Sequence, residues 1–346
     1  MSPRSADCAS TYQAGFSLVE LMIAITLGML VMAGLTVVYV NSSRTHSELE
    51  KSSQQIENGR YAMQVLGDDL RLAGYLAEFN IAQAGLPTPV TKPDPCASDI
   101  ASLSAALPLH IQGYDNTATL TCISDQKANT DVLVVRRVST CVSGAAGCAD
   151  VAGAAYFQAS LCNNPTELGS ASATDQFRLH TVAGNLDRHR KDCTTLASTR
   201  RYITNIYFVA NNDLAGDGVP TLKRAELGSG GFTIVSLANG IDNLQLEYGI
   251  DTNNDGVPDA LNANPDTYGA CVGAACVTNW VNVMLVSVNL LARNTSTSPA
   301  YTDTKTYALG LNANGSANTV GPFNDGYRRH VFQAQVRLNN PAGRRE

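Results

Sequence analysis

The chain has 346 residues and a formal net charge of −6 at pH 7, and Lys and Arg together number only 24. An acidic chain with so few basic residues is a poor candidate for nucleic-acid binding. Charged residues make up 16% of the chain, below the roughly 25% of average domains. This composition favours a secreted, loop-rich β protein over a cytosolic enzyme.

The first predicted element is an apolar helix over residues 16–40, in which Glu20 is the only charged residue. At 1.5 Å per residue such a helix spans about 37 Å, enough to cross a bilayer core of about 30 Å. A secretory signal peptide is disfavoured, because its apolar region is shorter and its cleavage site follows that region. We therefore expect a transmembrane helix.

Glu20 is unusual in such a helix, because a carboxylate there costs about 2.5–3.5 kcal/mol on insertion scales. Its presence therefore indicates a function. A cut after Gly15 would give Phe16 a new α-amino group. That cation could pair with Glu20 of a neighbouring, axially shifted helix. The alternative is an acid near the helix end that reaches the lipid headgroups.

The sequence Gly15-Phe16-Ser17-Leu18-Val19-Glu20, followed by an apolar run, resembles the prepilin motif of type IV pilins and type II secretion pseudopilins. The resemblance implies that residues 1–15 are a leader peptide, which the prepilin peptidase removes after Gly15. It also implies N-methylation of Phe16 and docking of Glu20 into the growing filament. The leader is longer than in many relatives and weakly basic, since Asp7 offsets Arg4.

The helix is predicted to continue over residues 41–74 as an amphipathic helix outside the membrane. Its apolar residues recur at helical spacing: Leu49, Ile56, Met63, Leu66 and Leu70. Gly59 and Gly67 weaken the helix, and Gly74 is expected to end it. A solitary coiled coil would show the same stripe, whereas the resemblance implies that this half lies on the sheet of a globular head.

Residues 75–346 are predicted to form a β-rich head, because several segments alternate with a period of two. In one segment Leu244, Leu246 and Tyr248 point inward, and another places Phe332, Ala334, Val336 and Leu338 on one face. Trp280 is expected to open a strand and to lie in the core. A long helix followed by antiparallel strands predicts an α+β fold.

Nine cysteines are present, and eight remain once Cys8 in the leader is removed. Eight cysteines beyond a membrane segment indicate an oxidising compartment with up to four disulfides. The short loops suggest the pairs Cys141–Cys148 and Cys271–Cys276. Cys96–Cys122 and Cys162–Cys193 are guesses among the 105 possible connectivities.

The segment DTNNDGVPD spaces its oxygen side chains as a calcium-binding loop does. Asp251, Asn253, Asp255 and Asp259 occupy the first, third, fifth and ninth positions, and the carbonyl of Val257 could add a ligand. The twelfth position holds Asn262, where an EF-hand has a bidentate Glu. We expect a structural calcium site here, and the alternative is a metal-free turn rich in Asn, Asp and Gly.

Basic residues cluster at Arg136-Arg137, Arg188 to Lys191, Arg200-Arg201 and Arg328-Arg329, and we expect these to be solvated strand faces or contacts between subunits. No catalytic motif of a hydrolase, metalloprotease or nucleotide-binding enzyme occurs in the sequence. The sequence therefore predicts a protein that is not an enzyme.

The large head, together with LQLEYGIDTNNDGVPDA and the closing YRRHVFQAQVRLNN, resembles the PilW-type minor pilins of type IV pili. The resemblance implies a subunit that initiates pilus assembly near the tip. Its partners would be other minor pilins, the major pilin, the prepilin peptidase, the inner-membrane assembly platform and a tip adhesin, with no nucleic acid. It would sit in the inner membrane with a periplasmic head and reach the cell surface after assembly, where pili serve adhesion or twitching motility.

Three alternatives remain open from the sequence. A J-like pseudopilin of a type II secretion system shares the anchor and much of the fold. A calcium-dependent adhesin or ligand-binding module could be displayed on the filament. A membrane-anchored periplasmic enzyme would require a catalytic constellation that the sequence does not show.

Overall fold

A computed structural model describes residues 15–116 and 119–345. The chain divides into two units, Met1–Glu50 and Lys51–Glu346. Of the predicted leader, only Gly15 lies within the described residues.

The longest element is helix α1, Leu18–Leu72, with 55 residues. It ends where Gly74 adopts a φ of +70°, a left-handed conformation that glycine takes without strain. The Gly74 N–H then donates a hydrogen bond to the carbonyl of Arg136. The remaining α-helices of the described residues are short: α2 Ile81–Ala84, α3 Ile100–Ala105, α4 Ala274–Val281 and α5 Asn339–Gly343.

The described strands, in chain order, are β1 Ile111–Tyr114, β2 Val132–Val138, β3 Tyr156–Ala159, β4 Phe177–His180, β5 Thr199–Ala210, β6 Thr221–Leu227, β7 Phe232–Asn239, β8 Ile241–Ile250, β9 Ala260–Asn262, β10 Val283–Arg293, β11 Tyr307–Leu311, β12 Ala317–Val320 and β13 Arg329–Arg337. All of their pairings are antiparallel. One long helix with antiparallel sheets confirms the predicted α+β fold.

The strands form three sheets. The seven-stranded sheet has the order β1-β2-β5-β3-β4, with β6 added to β5 and β7 added to β6. The four-stranded sheet has the order β13-β10-β8-β9, and β11 and β12 form a separate hairpin. Both β7 and β13 are therefore edge strands with one neighbour each.

The main hydrophobic core joins the later part of α1 to both larger sheets. Leu66 and Leu70 of α1 are fully buried in it, with Leu244 of β8 and Leu290 of β10. The inward face predicted for β8 is thus confirmed. Its other face is also buried, and there Gln245 accepts a hydrogen bond of 2.8 Å from Asn318 of β12.

Two details differ from the sequence prediction. Trp280 is buried as expected, but it lies in helix α4 and not at the start of a strand. On β13, Val336 packs in the core whereas Ala334 is exposed, and Leu338 lies beyond the end of the strand. The larger side chains of Phe332 and Val336 reach the core, whereas the methyl group of Ala334 between them does not.

Candidate functional site

The N-terminal motif forms the start of α1. The Glu20 carboxylate accepts hydrogen bonds from the Ser17 N–H at 2.9 Å and from the Ser17 hydroxyl at 3.0 Å. In return, the Glu20 N–H donates to the Ser17 hydroxyl oxygen at 3.2 Å. This reciprocal arrangement is a capping box, which satisfies N–H groups that a helix start leaves without partners. Sequence reasoning missed Ser17, although its Ser-x-x-Glu spacing signals such a box.

The first part of α1 presents apolar side chains on all sides. Phe16 is 90% exposed, Met32 70% and Tyr39 74%. Among the residues that the structure describes, α1 is the one helix long and apolar enough to cross a membrane, and the apolar window is not buried within the protein. A helix that is apolar all round is suited to lipid or to other apolar helices. Glu20 places the only carboxylate of this segment in its first turn.

The later part of α1 is joined to the head by a buried carboxylate, Asp69. Its Oδ1 accepts a hydrogen bond from Nε of Arg137 on β2 at 2.6 Å. Its Oδ2 accepts hydrogen bonds from Asn205 and Tyr207 on β5, both at 2.8 Å. Burial, followed by the charge of Asp69, raises the pKa of Tyr207 well above its usual value, so this hydroxyl remains a donor. Three donors on two strands thus fix how α1 is rotated and placed on the sheet.

A second polar residue, Gln55, binds α1 to the head nearer the start of the helix. The side-chain amide of Gln55 donates to the carbonyls of Ala292 at 2.7 Å and Arg328 at 3.0 Å. One turn further on, Gly59 packs against the ring of Phe332, and a Cβ at this position would overlap that ring. Gly59 weakens an isolated helix, but here it permits a close approach between α1 and β13. We refer to Gln55, Gly59, Asp69 and the residues they contact as the helix–head joint.

Sequence reasoning missed both polar residues of the helix–head joint. The predicted apolar stripe did not mark Gln55, because the stripe residue Ile56 is 37% exposed while Gln55 beside it is buried. A buried polar residue needs a hydrogen-bond partner. Only the folded head supplies those partners.

The Asp-rich loop places its first carboxylate in the interior. Asp251 is fully buried, and its Oδ1 accepts N–H bonds from Asn253 at 3.2 Å and Asn254 at 2.6 Å. Its Oδ2 accepts from the N–H of Gly256 and from the guanidinium of Arg345, both at 2.9 Å. Burial alone would raise the pKa of Asp251, but the bonds from Arg345 and the backbone outweigh it and lower this pKa.

The other predicted calcium ligands lie around the side-chain amide of Asn253. Asn253 donates to Asp255 at 3.1 Å and to Asp259 at 3.3 Å. The N–H of Val257 donates to Asp255 at 2.8 Å. Within residues 15–116 and 119–345 no group of three or more His, Cys, Asp or Glu side chains is arranged to hold a metal ion. The carboxylates of this loop are satisfied by the chain's own donors, and calcium binding stays a prediction.

Four disulfides stabilise the head: Cys96–Cys122, Cys141–Cys148, Cys162–Cys193 and Cys271–Cys276. These are the four pairs suggested from the sequence. The sequence separations range from 5 to 31 residues, so each bond closes a local loop of the head. Such bonds persist in an oxidising compartment.

Several arginines expected on solvated faces are buried instead. Arg329 contacts Asp242 at 2.7 Å, Asp303 at 2.9 Å and Asp325 at 2.7 Å. Arg136 and Arg188 are 3% and 4% exposed. Paired carboxylates and carbonyl acceptors offset the cost of removing a guanidinium from water. The prediction of solvated strand faces is therefore wrong for these three residues.

Comparison with protein families connects the N-terminal motif to the head. The model for the prokaryotic N-terminal methylation motif matches residues 10–36. The model for the type IV pilus-assembly protein W matches residues 206–340, which include β8, the Asp-rich loop and the strands β10 and β13. Together the two matches on one chain support a PilW-type type IV pilin. Its methylation motif and apolar helix fit a membrane-anchored pilin, whose partners are other components of the pilus.

Curated protein sequences gave no match to this PilW-type pilin. Among solved structures, a type IV-like pilin from Thermus thermophilus aligns with 63% of this chain and 80% of its own, at 13% sequence identity. The TM-score of 0.28 is too low for the alignment to carry an argument.

Proposed function

We propose that this PilW-type pilin is a non-catalytic minor subunit of the type IV pilus that takes part in initiating assembly near the pilus tip. The main support is the occurrence, on one chain, of a methylation motif at residues 10–36 and a PilW match at residues 206–340. In this role it would dock with other minor pilins and help the major pilin to assemble.

The docking step would use Glu20 and Phe16. Cleavage after Gly15 by the prepilin peptidase leaves an amine on Phe16 of a neighbouring subunit, and that amine carries a positive charge. In the described chain Glu20 has only the uncharged donors of Ser17. A charged donor forms a stronger hydrogen bond with a carboxylate than a neutral one does. The neighbour's amine is therefore the better partner for Glu20 in an apolar environment.

The helix–head joint would make the position of the docked helix determine the position of the head. Asp69 and Gln55 bind the head through five hydrogen bonds in total, four of them to strands and one to the residue before β13. Because these bonds fix the later part of α1 to the sheets, a shift of that part would move the head with it. The four disulfides suit a head on the periplasmic side of the inner membrane and later on the cell surface.

The decisive experiment is to delete the gene and to quantify major pilin in the sheared surface fraction, with and without the retraction motor. Loss of surface pilin with protein secretion intact, partly restored without retraction, supports a pilus-initiating subunit. Normal pili with secreted proteins trapped in the periplasm would instead assign the protein to a type II secretion system. If pili and secretion are both normal, the displayed-adhesin alternative is favoured.

A calcium-dependent adhesin is the second candidate, because residues 251–259 space oxygen side chains for a hard cation. We propose that this loop binds calcium through Asp251, Asn253, Asp255, Asp259 and the carbonyl of Val257, with Arg345 released from Asp251. The thermal stability of the full-length protein in detergent should then rise with calcium over its value in chelator. Asp255→Ala should abolish that rise and lower stability in chelator by no more than about 1 kcal/mol, for the lost bonds from Asn253 and Val257. Asp251→Ala should lower stability in both, because it removes the partner of Arg345. An unaltered protein with no calcium-dependent shift would exclude the metal.

A further inference from the structure

The four-stranded sheet carries polar side chains on the face opposite its apolar face. Leu244 of β8 and Leu290 of β10 point into the main core, so the residues next to them along each strand point the other way. Two polar rows cross β8, β10 and β13 on this second face: Glu247, Ser287 and Gln335 in one row, and Gln245, Asn289 and Gln333 in the other. This face therefore offers hydrogen-bonding groups on three adjacent strands.

A cleft of about 350 Å³ lies in this polar face, and we call it the Glu247 cleft. Glu247 and Asn289 are 5% and 2% exposed, whereas Gln333 and Gln335 are open to solvent. The cleft thus has a buried end at Glu247 and an open end at the edge strand β13. Its polar lining consists of Glu247, Ser287, Asn289, Gln333 and Gln335, and it is bordered by Gly310 of β11.

Gly310 allows β11 to approach the buried end closely. Its φ is +83°, a conformation that glycine adopts without strain. A Cβ at this position would lie 2.7 Å from Nδ2 of Asn289 and 2.9 Å from Cδ of Glu247. A larger residue would therefore displace the side chains that form the buried end.

The hydrogen bonds within the Glu247 cleft run toward the carboxylate. Gln333 donates to Oδ1 of Asn289 at 2.8 Å, and Asn289 donates to Oε2 of Glu247 at 3.3 Å. Within residues 15–116 and 119–345, Oε1 of Glu247 and the hydroxyl of Ser287 have no hydrogen-bond partner. Buried carboxylates are normally compensated by several donors or by a cation. Three other buried acids of the head each pair with an arginine: Asp242, Asp251 and Asp303.

The free groups of the cleft match a primary ammonium. An ammonium offers three donors and no acceptor, and the buried end offers a carboxylate oxygen and a hydroxyl oxygen. Among the described lining residues, Glu247 carries the one charge, so a cation is favoured over an anion or a neutral molecule. A guanidinium pairs best when both carboxylate oxygens accept in parallel. Because Oε2 already accepts from Asn289, a lysine suits this site better than an arginine.

A different protein is the better source of that lysine than a second copy of this chain. The formal net charge of −6 makes two copies repel each other and favours a more basic partner. The chain has six lysines, and four of them already bind groups of their own chain. Lys92 and Lys127 pair with aspartates, and Lys51 and Lys223 donate to carbonyls.

We propose that the Glu247 cleft binds the side chain of a lysine from a different subunit of the pilus. The source of the lysine rests on the proposed function as a pilus subunit, whereas the preference for an ammonium follows from the cleft itself. The ammonium would bind Oε1 of Glu247 and the hydroxyl of Ser287. Its methylene chain would leave the cleft between Gln333 and Gln335 at β13.

The first test measures binding of Nα-acetyl-lysine methylamide to the full-length protein in nonionic detergent, by saturation-transfer NMR. The norleucine analogue, which has the same carbon chain but no ammonium, should bind at least about tenfold more weakly, as a loss of about 1.4 kcal/mol would give. Glu247→Gln should weaken binding of the lysine analogue by the same factor, because it removes the charge and keeps an acceptor for Asn289. Glu57→Gln, the same change at an exposed acid of α1, is the matched control and should leave binding unchanged.

A second variant separates binding from folding. Ser287→Ala removes one hydroxyl and should weaken binding of the lysine analogue about two- to tenfold. Both cleft variants should keep four disulfides and the thermal unfolding midpoint of the unaltered protein. Equal binding of the lysine and norleucine analogues, or binding that neither cleft variant changes, would overturn the ammonium site.

The second test identifies the source of the lysine in cells that assemble pili. The photo-crosslinking residue p-benzoylphenylalanine at Gln335, on the open end, should form an adduct close to a lysine of a different pilus subunit. Glu247→Gln should lower that adduct at least about tenfold. No adduct, an adduct with a second copy, or an adduct on a segment without lysine would overturn the proposed partner.

The cleft and the proposed function can fail separately. If the deletion strain lacks surface pilin but the unaltered protein does not bind the lysine analogue, the cleft proposal fails and the proposed function stands. If the deletion strain is fully piliated while binding depends on Glu247, the proposed function fails and the pilus partner fails with it.

Discussion

The two parts of α1 differ in burial although they are one continuous helix. Residues 15–47 are exposed throughout. Between Gln55 and Leu70, by contrast, one face is buried against the sheets of the head. The apolar side chains of the first part are suited to lipid or to other apolar helices, whereas those of the later part are buried in the chain's own head. The later part therefore contributes to stability, and we propose that the first part serves assembly.

One carboxylate in each part shows the difference most directly. Glu20 is exposed and bonded within its own first turn, whereas Asp69 is buried and bonded to strands more than sixty residues away. We expect the loss of Glu20 to affect assembly and the loss of Asp69 to affect folding. Four predictions test this contrast, from the largest expected effect to the smallest.

Glu20→Ala should reduce pilin in the sheared surface fraction at least about tenfold, a factor that corresponds to about 1.4 kcal/mol of docking free energy. The physical reason is the loss of the carboxylate that we propose pairs with a neighbour's amine. Membrane insertion and leader cleavage should be unchanged, as measured by fractionation and by the mass of the processed protein. Glu50→Ala, which removes an exposed acid of the same helix outside the apolar run, should leave piliation normal. Full piliation of the Glu20 variant would refute the docking role.

Asp69→Ala should lower the free energy of unfolding by about 3 kcal/mol, because it leaves the guanidinium of Arg137 without its partner in a mostly buried position. The measurement is urea unfolding of the full-length protein in detergent. Asp68→Ala is the control: Asp68 is exposed and pairs with Arg71 on the surface, so its loss should cost less than about 0.5 kcal/mol. Equal midpoints for the two variants would show that the helix–head joint does not depend on Asp69.

Gly59→Ala should destabilise the head by about 1–3 kcal/mol, because the added methyl group overlaps the ring of Phe332. The same urea titration measures it, and a smaller side chain in Phe332→Leu should recover part of the loss. Gly67→Ala is a matched change in the same helix, but its Cβ would meet only ordinary contacts, the nearest at 3.7 Å. Because alanine favours helix, Gly67→Ala should be neutral or stabilising. A loss as large at Gly67 as at Gly59 would contradict the steric explanation.

Ser17→Ala should have the smallest effect. It removes the hydroxyl of the capping box but keeps the hydrogen bond from the Ser17 N–H to Glu20. Hydrogen exchange in detergent should become faster in the first turn of α1 and remain unchanged beyond it. Surface pilin should fall by less than about fivefold, since such a cap is worth about 1 kcal/mol and a tenfold factor corresponds to about 1.4 kcal/mol. A loss of pili as complete as that of Glu20→Ala would assign Ser17 to docking itself.

The sequence predicted the elements that depend on near neighbours. The Gly15–Glu20 motif and the apolar run after it are local patterns, and so is the alternation of Leu244, Leu246 and Tyr248 in β8. Two of the disulfides were suggested by short separations alone, since residues 5 or 7 positions apart meet readily in a turn.

Burial of polar groups could not be predicted in the same way. Arg329 is buried because Asp242, Asp303 and Asp325 converge on it from separate segments. The second buried face of β8 depends on β12, which lies far along the chain. Each case requires long-range pairing, which a local period does not encode.

By itself the sequence determined the α+β fold class and the pilin-like anchor. The cleavage motif, the length of the apolar run and the two-residue period of the strands are all local patterns. Only the tertiary structure decided which side of the later helix is bonded to the head and which strands lie at the edges of the sheets. Asp69 belongs to the helix–head joint because the sheet places Arg137, Asn205 and Tyr207 within hydrogen-bond distance of it. Strand β7 becomes an edge because the described chain adds no strand beyond it. Both outcomes depend on which distant segments meet, and that is set by the packing of the whole head.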